Sequence, residues 1–346
     1  MTTSSPRSKI VETSDTIEVI EECYQMGWTD GLPVIPPADY KVREMLEYVD
    51  MTGEEELLSL EMRRRVLTSE NAAANAVMAG CLPEYFPVLV TALRALDEEK
   101  NFVHMAAAST SSPSILMIVN GLIRHQIGIN SKDGVFGPGF RANACLGRAV
   151  RLCFMNGFDA WPGTLDRGTL GNPTKYTFCI GDNEEDSPWG ALHVSRGFQP
   201  EDSCVTVAVA YNAITVNNRY SNTGKDILLS MADTMKSTAL AHRFPAEWVL
   251  VFGPEHALTL KGDGWSRRDI QEFILEQASR PLSELIRLGA KAGPAKPSDD
   301  QVIRHCSNNP EDILITLGGG TGGRYSAIID TTGYKIRTRK IEIAGD

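Results

Sequence analysis

Basic residues are in the minority in this sequence. Its 346 residues include 34 Lys and Arg against 44 Asp and Glu, which gives a formal net charge of −10. Nucleic acids and anionic membranes both favour a positively charged face, so this balance argues against either as the main partner. The sequence also lacks an apolar run of the ~18 residues that a membrane-spanning helix needs, and residues 1–13 lack the apolar core of a secretory signal. We predict a cytoplasmic protein with a disordered leader at 1–13.

The seven cysteines form no Cys-x-x-Cys pair. They are scattered among apolar neighbours, as is typical of reduced intracellular thiols, so structural zinc and iron–sulfur ligation are not expected. The glycine-rich segment 318–326 lacks the lysine of a P-loop. No complete G-x-G-x-x-G stands between a strand and a helix with an acidic residue ~20 residues further on. We therefore predict no organic cofactor, and a divalent metal ion stays open.

One pattern occurs twice in the sequence. It reads as a buried strand, a glycine turn, two helices, and a second glycine turn that leads into a basic residue, Tyr and a hydroxyl residue. The first copy comprises ILMIVNG (115–121), FRANACLGRAVRLC (140–153) and GTLGNPTKYTFCI (168–180), and the second comprises EWVLVFGPEH (247–256), WSRRDIQEFILEQ (265–277) and GGTGGRYSAII (319–329). Because strands alternate with helices, an α/β fold is expected.

We predict two such pseudo-repeated strand–Gly turn–helix–helix–strand units, packed together and preceded by an N-terminal helical region. The predicted limits are 14–100 for the helical region with a Pro-rich strap at 27–37, 101–203 for the first repeat, and 204–346 for the second repeat with a linker at 290–300. Within these regions we expect a helix at 55–67 and a strand at 103–109. Residues 204–218 read as two strands in succession, joined as a hairpin or as a crossing between sheets.

The packed repeats would bring two cationic–hydroxyl clusters to one cleft, namely Lys175-Tyr176-Thr177 and Arg324-Tyr325-Ser326. The glycine turn at 318–323, directly before Arg324, exposes backbone N–H groups that can bind a carboxylate or phosphate. A tight β-turn with a purely structural role is the equally weighted alternative. The predicted substrate-binding residues are Gly319, Gly320, Thr321, Gly322, Gly323, Arg324, Ser326, Asn120, Thr110 and Tyr176.

His256 is the first candidate for a catalytic residue. It follows a strand and Pro254 at a predicted helix N-terminus, which favours the neutral imidazole of a general base, although a histidine that caps or packs is the alternative. Glu255 would orient it, and Lys175 and Tyr325 would stabilise developing negative charge. Cys81 is a reserve nucleophile, with a buried structural thiol as the alternative.

Two further groups carry charge. The loop 182–193 contains the possible metal ligands Glu184, Glu185 and His193; the alternatives are a solvated acidic loop and a loop that contacts substrate. The helix predicted at 140–156 carries Arg141, Arg148 and Arg151, which would either attract an acidic substrate or form salt bridges on its outer face.

Four segments carry a resemblance to a known family. They are GWTDGLPVIPP (27–37), AVMAGCLPEYFPV (76–88), GPEHA (253–257) with GWS (264–266), and GGGTGGRYSAII (318–329). From about residue 20 to its C-terminus the chain resembles an uncharacterised family whose sequences accompany, or are fused to, UGSC-type thiol or selenol proteins. The only Ser-Cys pair here, Ser203-Cys204, follows Asp202 rather than Gly. The resemblance therefore implies a substrate-binding partner of a separate thiol or selenol protein, and it adds weight to Cys81 and His256.

Taken together, these features predict a cofactor-independent lyase or hydrolase. It would act on a small carboxylate-bearing metabolite and break a C–N, C–S or C–O bond by proton transfer at His256. One alternative is a thiol-redox component that forms a mixed disulfide through Cys81 with a thiol or selenol protein. Another is a non-catalytic protein that binds a small ligand. We expect a homo-oligomer with neither nucleic acid nor membrane as a partner.

Overall fold

The computed structural model describes Ser8 and residues 15–238, 245–331 and 335–342, so the predicted leader lies almost wholly outside the described residues. The N-terminal region contains α1 (Thr16–Gln25), α2 (Asp39–Tyr48), α3 (Ser69–Ala79), α4 (Phe86–Asp97) and α5 (Lys100–Ala108). The side chain of Asp15 caps α1, and that of Thr68 caps α3, as expected for short oxygen-bearing residues.

Two predictions in this region are wrong. Residues 55–67 were expected to be helical, but they form most of an antiparallel hairpin of β1 (Glu56–Leu60) and β2 (Arg65–Thr68). Arg64 reverses the chain there with a left-handed φ of 51°, which ends any helical path. The strand expected at 103–109 is instead the helix α5 and the residue after it, in keeping with the high helix propensity of its three consecutive alanines.

The first main sheet contains β3 (Ser114–Asn120), β4 (Cys179–Gly181), β5 (Cys204–Ala210) and β12 (Arg337–Lys340), in the order β12-β5-β3-β4. β3 runs parallel to β4 and antiparallel to β5, and β5 runs antiparallel to β12. Three helices lie in this part of the chain: α6 (Ile123–Gln126), α7 (Arg141–Phe158) and α8 (Leu192–Ser195).

The second main sheet contains β6 (Ala213–Asn217), β7 (Trp248–Phe252), β10 (Ile313–Leu317) and β11 (Tyr325–Asp330), in the order β10-β7-β11-β6. β7 runs parallel to β10, and β11 runs antiparallel to both β7 and β6. Beside it lie α9 (Gly224–Ser237), α10 (Pro254–Gly262), α11 (Arg267–Gln277), α12 (Leu282–Arg287) and a ribbon of β8 (Ser279–Pro281) with β9 (Ile303–His305).

The two main sheets pack face to face, with helices on their outer faces. Alternate residues of each strand point to opposite faces, so Ile118 of β3 packs with Val251 of β7 between the sheets. Met117 instead belongs to a core shared with α3, α4 and α7, and Leu250 to a core shared with α9 and α11. The mixed α/β class is confirmed, as four layers of helix, sheet, sheet and helix.

The predicted repeat is not confirmed. In the predicted repeat, segment 168–180 of the first copy, which ends in β4, corresponds to segment 319–329 of the second copy, which contains β11. However, β4 runs parallel to β3, whereas β11 runs antiparallel to β7. The predicted boundary at 203/204 also separates β5 from the sheet in which it pairs. Residues 204–218 form a crossing between sheets, one of the two arrangements expected, because β5 lies in the first sheet and β6 in the second.

Two smaller points complete the fold. Within the predicted linker 290–300, a short 3-10 helix begins at Pro297. Among the described helices, none is both long enough and apolar enough to cross a bilayer.

Candidate functional site

The cluster Lys175-Tyr176-Thr177 lies where β3 and β4 begin. Ser114 opens β3, and its hydroxyl oxygen is 2.7 Å from that of Thr174, the neighbour of Lys175. Asn120 closes β3, and its amide donates over 2.9 Å to Asp182, which directly follows β4. We call the edge where β3 and β4 begin the amino end, and the edge where they finish the carboxyl end.

The cluster Arg324-Tyr325-Ser326 lies at the carboxyl end. The N–H of Asn183, just beyond β4, donates over 2.9 Å to the carbonyl of Leu317, the last residue of β10. The neighbouring parallel strand β7 therefore finishes at the same end, and its last residue, Phe252, pairs with Ser326. The two cationic–hydroxyl clusters thus do not meet in one cleft, contrary to the prediction.

His256 is fully buried, at 0% exposure, in the first turn of α10. Its Nε2 lies 3.1 Å from the carbonyl oxygen of Asn218, and its Nδ1 lies 2.8 Å from Oγ of Ser326. Burial lowers the pKa of the imidazole, and the nearby charge of Arg324 lowers it further. The predicted neutral form agrees with this environment, but both ring nitrogens already face protein groups, so a substrate finds no free nitrogen at His256.

The glycine turn binds a carboxylate of the protein itself. The N–H of Gly322 donates to Oε1 of Glu255. On the other side, the Asp133 carboxylate packs so closely against Gly320 that a Cβ there would collide with it. With two acidic side chains against it, this turn repels an incoming anion rather than attracting one. Glu255 thus holds the turn and does not orient His256.

The remaining predicted residues of this turn have local partners. Arg324 donates from Nη1 to the carbonyl of Ser221. Tyr325 is partly exposed, and its hydroxyl accepts a hydrogen bond of 2.9 Å from Arg219. The structure therefore brings Tyr325, Arg324 and the glycine turn close to His256, as predicted, but it joins them through contacts that stabilise the ends of β7 and β11.

The acidic loop after β4 surrounds a buried arginine. Arg124 is 2% exposed and lies 3.2 Å from Glu184 and 2.7 Å from Glu185. Burial disfavours the charged form of Glu185, but hydrogen bonds from Arg124 and His125 outweigh it and hold its pKa at about 2. Glu184 also accepts from the amide of Asn120 over 2.8 Å.

The predicted metal ligands Glu184, Glu185 and His193 all contact other groups of the protein. His193 is buried, its Nε2 faces the carbonyl of Gln199 at 3.1 Å, and its Nδ1 is 3.9 Å from Glu184. Within the described ranges, no group of three or more His, Cys, Asp and Glu side chains is arranged to hold a metal ion. Glu184 and Glu185 both form ion pairs with Arg124, so each of these carboxylates already has a cationic partner within the protein.

Cys81 is buried between α3 and α4. Burial raises its pKa well above the ordinary value for a thiol. Because the thiolate is the nucleophilic form, this environment opposes the predicted reserve nucleophile and the mixed disulfide. Cys145, beside Gly80, is the one cysteine that is only partly buried.

The amino end contains a cluster of three charged side chains. Asp166, in the loop after α7, accepts from Lys175 Nζ over 2.5 Å and from Arg151 Nη2 over 3.0 Å. Burial lowers the pKa of Lys175, and the charge of Arg151 acts in the same direction. At Asp166, burial raises the pKa, but hydrogen bonds from Lys175 and Gly168 outweigh this effect, so the pKa is lowered. The cluster therefore carries two positive charges against one negative charge.

A cavity opens beside this cluster. Lys175, Arg151 and the hydroxyl residues Ser114 and Thr174 line its polar part. The rest of the lining is provided by Ala106, Pro113, Ile115, Gly147, Val150 and Phe154. Lys175 is thus a predicted site residue that the structure places at a cavity.

Other residues at this end were predicted less well. Thr110 contributes its carbonyl, which accepts from Thr169 N over 2.9 Å, and Tyr176 is half-exposed. Asp166 was missed because its role depends on the loop after α7 folding back onto that helix. Ser112 was missed as an individual residue: it is buried and left-handed at φ 61°, beside Gly168.

No family model, curated protein or solved structure matches this chain. The resemblance to the family that accompanies UGSC-type proteins therefore stays a prediction.

Proposed function

We propose that this protein is a cofactor-independent enzyme that binds a small carboxylate-bearing metabolite in the cavity at the amino end, and that breaks a C–N, C–S or C–O bond in it. The observation that carries this proposal is the charge of the cluster. Among the residues that the structure describes, Arg151 and Lys175 form ion pairs with one carboxylate, that of Asp166. A substrate carboxylate would balance the second positive charge.

The charged groups have donors to spare for such a ligand. Nη2 of Arg151 supplies both of that side chain's hydrogen bonds among the described residues, to Asp166 and to the carbonyl of Ala160. Lys175 carries three N–H donors, and one of them serves Asp166. Charge-assisted bonds to a carboxylate are about twice as strong as neutral ones, and the partial burial of both cations reduces competition from water.

The environment of Lys175 supports a proton-transfer role. A lysine whose pKa is lowered gives up its proton more readily than an exposed lysine, which suits a general acid. In the proposed reaction Arg151 holds the carboxylate, and Lys175 donates a proton to the nitrogen, sulfur or oxygen that leaves. The neutral amine then takes up one proton, either from the water molecule that attacks the carbon in a hydrolysis, or from the neighbouring carbon, whose C–H electrons form the new double bond in an elimination. This assignment replaces His256, because Lys175 lies beside a cavity and His256 has no nitrogen free.

Mass spectrometry of the native protein tests the proposal. The protein is exposed to a metabolite extract, washed and analysed for retained and converted compounds, in the unsubstituted chain and in Lys175→Met. We expect a carboxylate to be retained and converted by the unsubstituted chain, and conversion to fall at least a hundredfold in the variant, within the usual range for loss of a general acid. Asp166 keeps Arg151 as its partner, so the fold should persist.

Lys132→Met is the matched control. Lys132 is exposed and pairs with Asp186 at the carboxyl end, so its loss removes a lysine charge without touching the cavity. Full conversion in Lys175→Met, or equal losses in the two variants, would contradict the proposed site.

Retention of a carboxylate without its conversion would favour the alternative of a non-catalytic binding protein, since the cluster would then only bind the ligand. The thiol-redox alternative predicts that one thiol reacts with an alkylating reagent much faster than the other six. Cys145 is the thiol that such labelling should find, because its side chain is the most accessible of the seven.

A further inference from the structure

The second main sheet has an unpaired edge at β6. β6 pairs with β11 on one side and, among the described strands, with none on the other. The N–H of Asn218, just after β6, donates to the carbonyl of Arg324 over 3.3 Å. Because the backbone groups of successive strand residues point to opposite sides, those of Ala213, Thr215 and Asn217 point away from β11. Within the part of the chain that the structure describes, these outward N–H and C=O groups have no hydrogen-bond partner.

The outer edge of β10, on the other side of the same sheet, is closed by hydrogen bonds. The side chain of Gln271 donates to the carbonyl of Ile313 over 2.8 Å. The side chain of Arg267 donates to the carbonyl of Ile315 over 2.6 Å. The carbonyl of Leu317 also has a donor, from the loop after β4. A strand added at β10 would have to displace these donors.

The two edges of the first sheet are protected in other ways. In β4, the carbonyl of Cys179 accepts from the side chain of Asn143 over 3.1 Å. The N–H of Gly181 donates to the carbonyl of Asn130 over 3.0 Å. β12 (Arg337–Lys340) carries three basic residues out of four, and charge on an edge strand discourages pairing with another strand. Among the described edges of the two main sheets, β6 is the one that neither hydrogen bonds nor charge protect.

The sequence around β6 is compatible with its own copy. Residues 211–218 read YNAITVNN, without the lysine or proline that commonly blocks an exposed edge. The pairing of β6 with β11 is regular over all its residues, and Thr215 and Asn217 are exposed. Identical charged segments repel each other, and the chain as a whole has a net charge of −10. The uncharged segment 211–218 can approach an identical segment without that repulsion.

We propose that β6 pairs antiparallel with β6 of a second copy of the chain, across a two-fold axis at Thr215. In this register Thr215 lies opposite its own copy, and Ala213 of each chain lies opposite Asn217 of the other. The paired residues exchange N–H and C=O groups, so the outward groups of β6 all gain partners. Threonines directly opposite each other on adjacent strands also favour pairing.

The contact is closed, because a two-fold axis uses the same surface of both copies and leaves no unprotected edge of the main sheets for a third. It would give the homo-oligomer expected from the sequence a defined interface. The proposal is independent of the proposed function, since the residues that line the amino-end cavity include none of β6.

Sedimentation of the full chain over a range of concentrations tests this contact. We expect an equilibrium between monomer and dimer in the unsubstituted chain. Thr215→Pro removes an N–H that points away from β11, a position at which an edge strand tolerates proline. Each copy then loses one hydrogen bond across the axis, and the dissociation constant of the dimer should rise at least about tenfold.

Two charged variants test the register. Thr215→Lys and Thr215→Glu each place like charges directly opposite one another, so each variant alone should be monomeric. An equimolar mixture of the two should recover the dimer, because opposite charges then face each other. Thr52→Lys is the matched control, since Thr52 is an exposed threonine in the loop between α2 and β1, and this variant should dimerise like the unsubstituted chain.

Dimers that both charged variants disrupt and that their mixture restores support the proposal. A chain that stays monomeric at every concentration overturns it, as does a dimer that Thr215→Lys leaves intact or one that the mixture fails to restore. Hydrogen exchange identifies another occupant: slow exchange of the amides at 213–217 in a monomer would show that a different segment of the chain covers the edge, which also overturns the proposal. If Thr215→Pro does not fold, the charged variants provide the test, since they leave the backbone unchanged.

Discussion

The two nitrogens of the His256 ring have different roles. Nε2 faces a carbonyl oxygen, that of Asn218, which can only accept, so Nε2 carries the proton. Nδ1 then accepts from the hydroxyl of Ser326, and that hydroxyl oxygen accepts in turn from the N–H of Gly253 over 3.3 Å. The imidazole is thus fixed in one neutral tautomer that joins β7, β11 and the segment after β6.

This arrangement predicts how stability depends on pH. The unfolded chain takes up a proton at His256 near the ordinary histidine pKa of 6.5, whereas the folded chain, in which burial lowers that pKa, takes it up only at lower pH. The stabilising contribution is therefore present above about pH 6.5 and is lost as the pH falls below it. Denaturant titrations at about pH 7.5 and about pH 5.5, on either side of that value, measure the free energy of unfolding of the unsubstituted chain and of His256→Gln. The decrease in this free energy from the higher to the lower pH should be smaller in the variant.

His256→Gln should also lower the free energy of unfolding at the higher pH by about 1–3 kcal/mol, because buried polar groups lose their partners. An identical pH dependence in the two proteins would show that His256 is not the group responsible.

At the scale of elements, the Pro-rich strap is held to α7 by one ion pair. Arg148 donates to Asp30 from Nε and from Nη2, both over 2.8 Å, and also to the carbonyls of Leu32 and Pro33. Asp30 is almost fully buried on its side chain. This bidentate pair corresponds to the salt-bridge alternative predicted for the arginines of this helix.

Removing one member of that pair should be costly. Arg148→Met leaves Asp30 buried without its partner, and we expect a loss of about 3–5 kcal/mol in the free energy of unfolding. Arg268→Met is the control, since Arg268 forms exposed pairs with Glu272 and Glu311, and exposed pairs of this kind contribute little to stability. Urea titration of both variants measures the difference, and equal losses would contradict the importance assigned to the strap contact.

The sequence predicted elements well where one pattern dominated. α7 was expected at 140–156 and occupies Arg141–Phe158, because its apolar residues repeat with helical spacing. The helix predicted at 55–67 was wrong because the helical repeat of apolar residues in this segment is weak and the left-handed backbone of Arg64 reverses the chain. Lys175 was identified as a site residue from its setting after a glycine turn, but its partner Asp166 and the cavity depend on tertiary packing, which no local pattern encodes.

At the scale of the whole molecule, Asp182 links the two main sheets. It is fully buried and accepts from Asn120 of β3 over 2.9 Å, and from the hydroxyl of Thr316 and the N–H of Leu317 in β10 over 2.6 and 3.2 Å. It also accepts from the N–H of Leu192 over 2.7 Å. Burial raises its pKa although all four donors oppose that change.

Substitutions at Asp182 test this link. Asp182→Ala leaves several buried donors without an acceptor, and we expect a loss of at least about 3 kcal/mol in the free energy of unfolding. Thr316→Val removes a single donor together with its hydroxyl and should cost about 1 kcal/mol. In a double-mutant cycle, the two effects should not add, because Thr316 has already lost its partner in Asp182→Ala. Additive losses would mean that the two side chains act separately.

The late position of β12 in the chain sets the order in which the fold can be completed during synthesis. The first sheet begins at residue 114, yet its edge strand β12 ends at residue 340. A nascent chain held on the ribosome therefore exposes the unpaired border of β5 while the whole second sheet is being made, and such borders invite aggregation. An N-terminal fragment from a gene cut at 203/204 would retain only β3 and β4 of the first sheet, with no strand to cover the other border of β3.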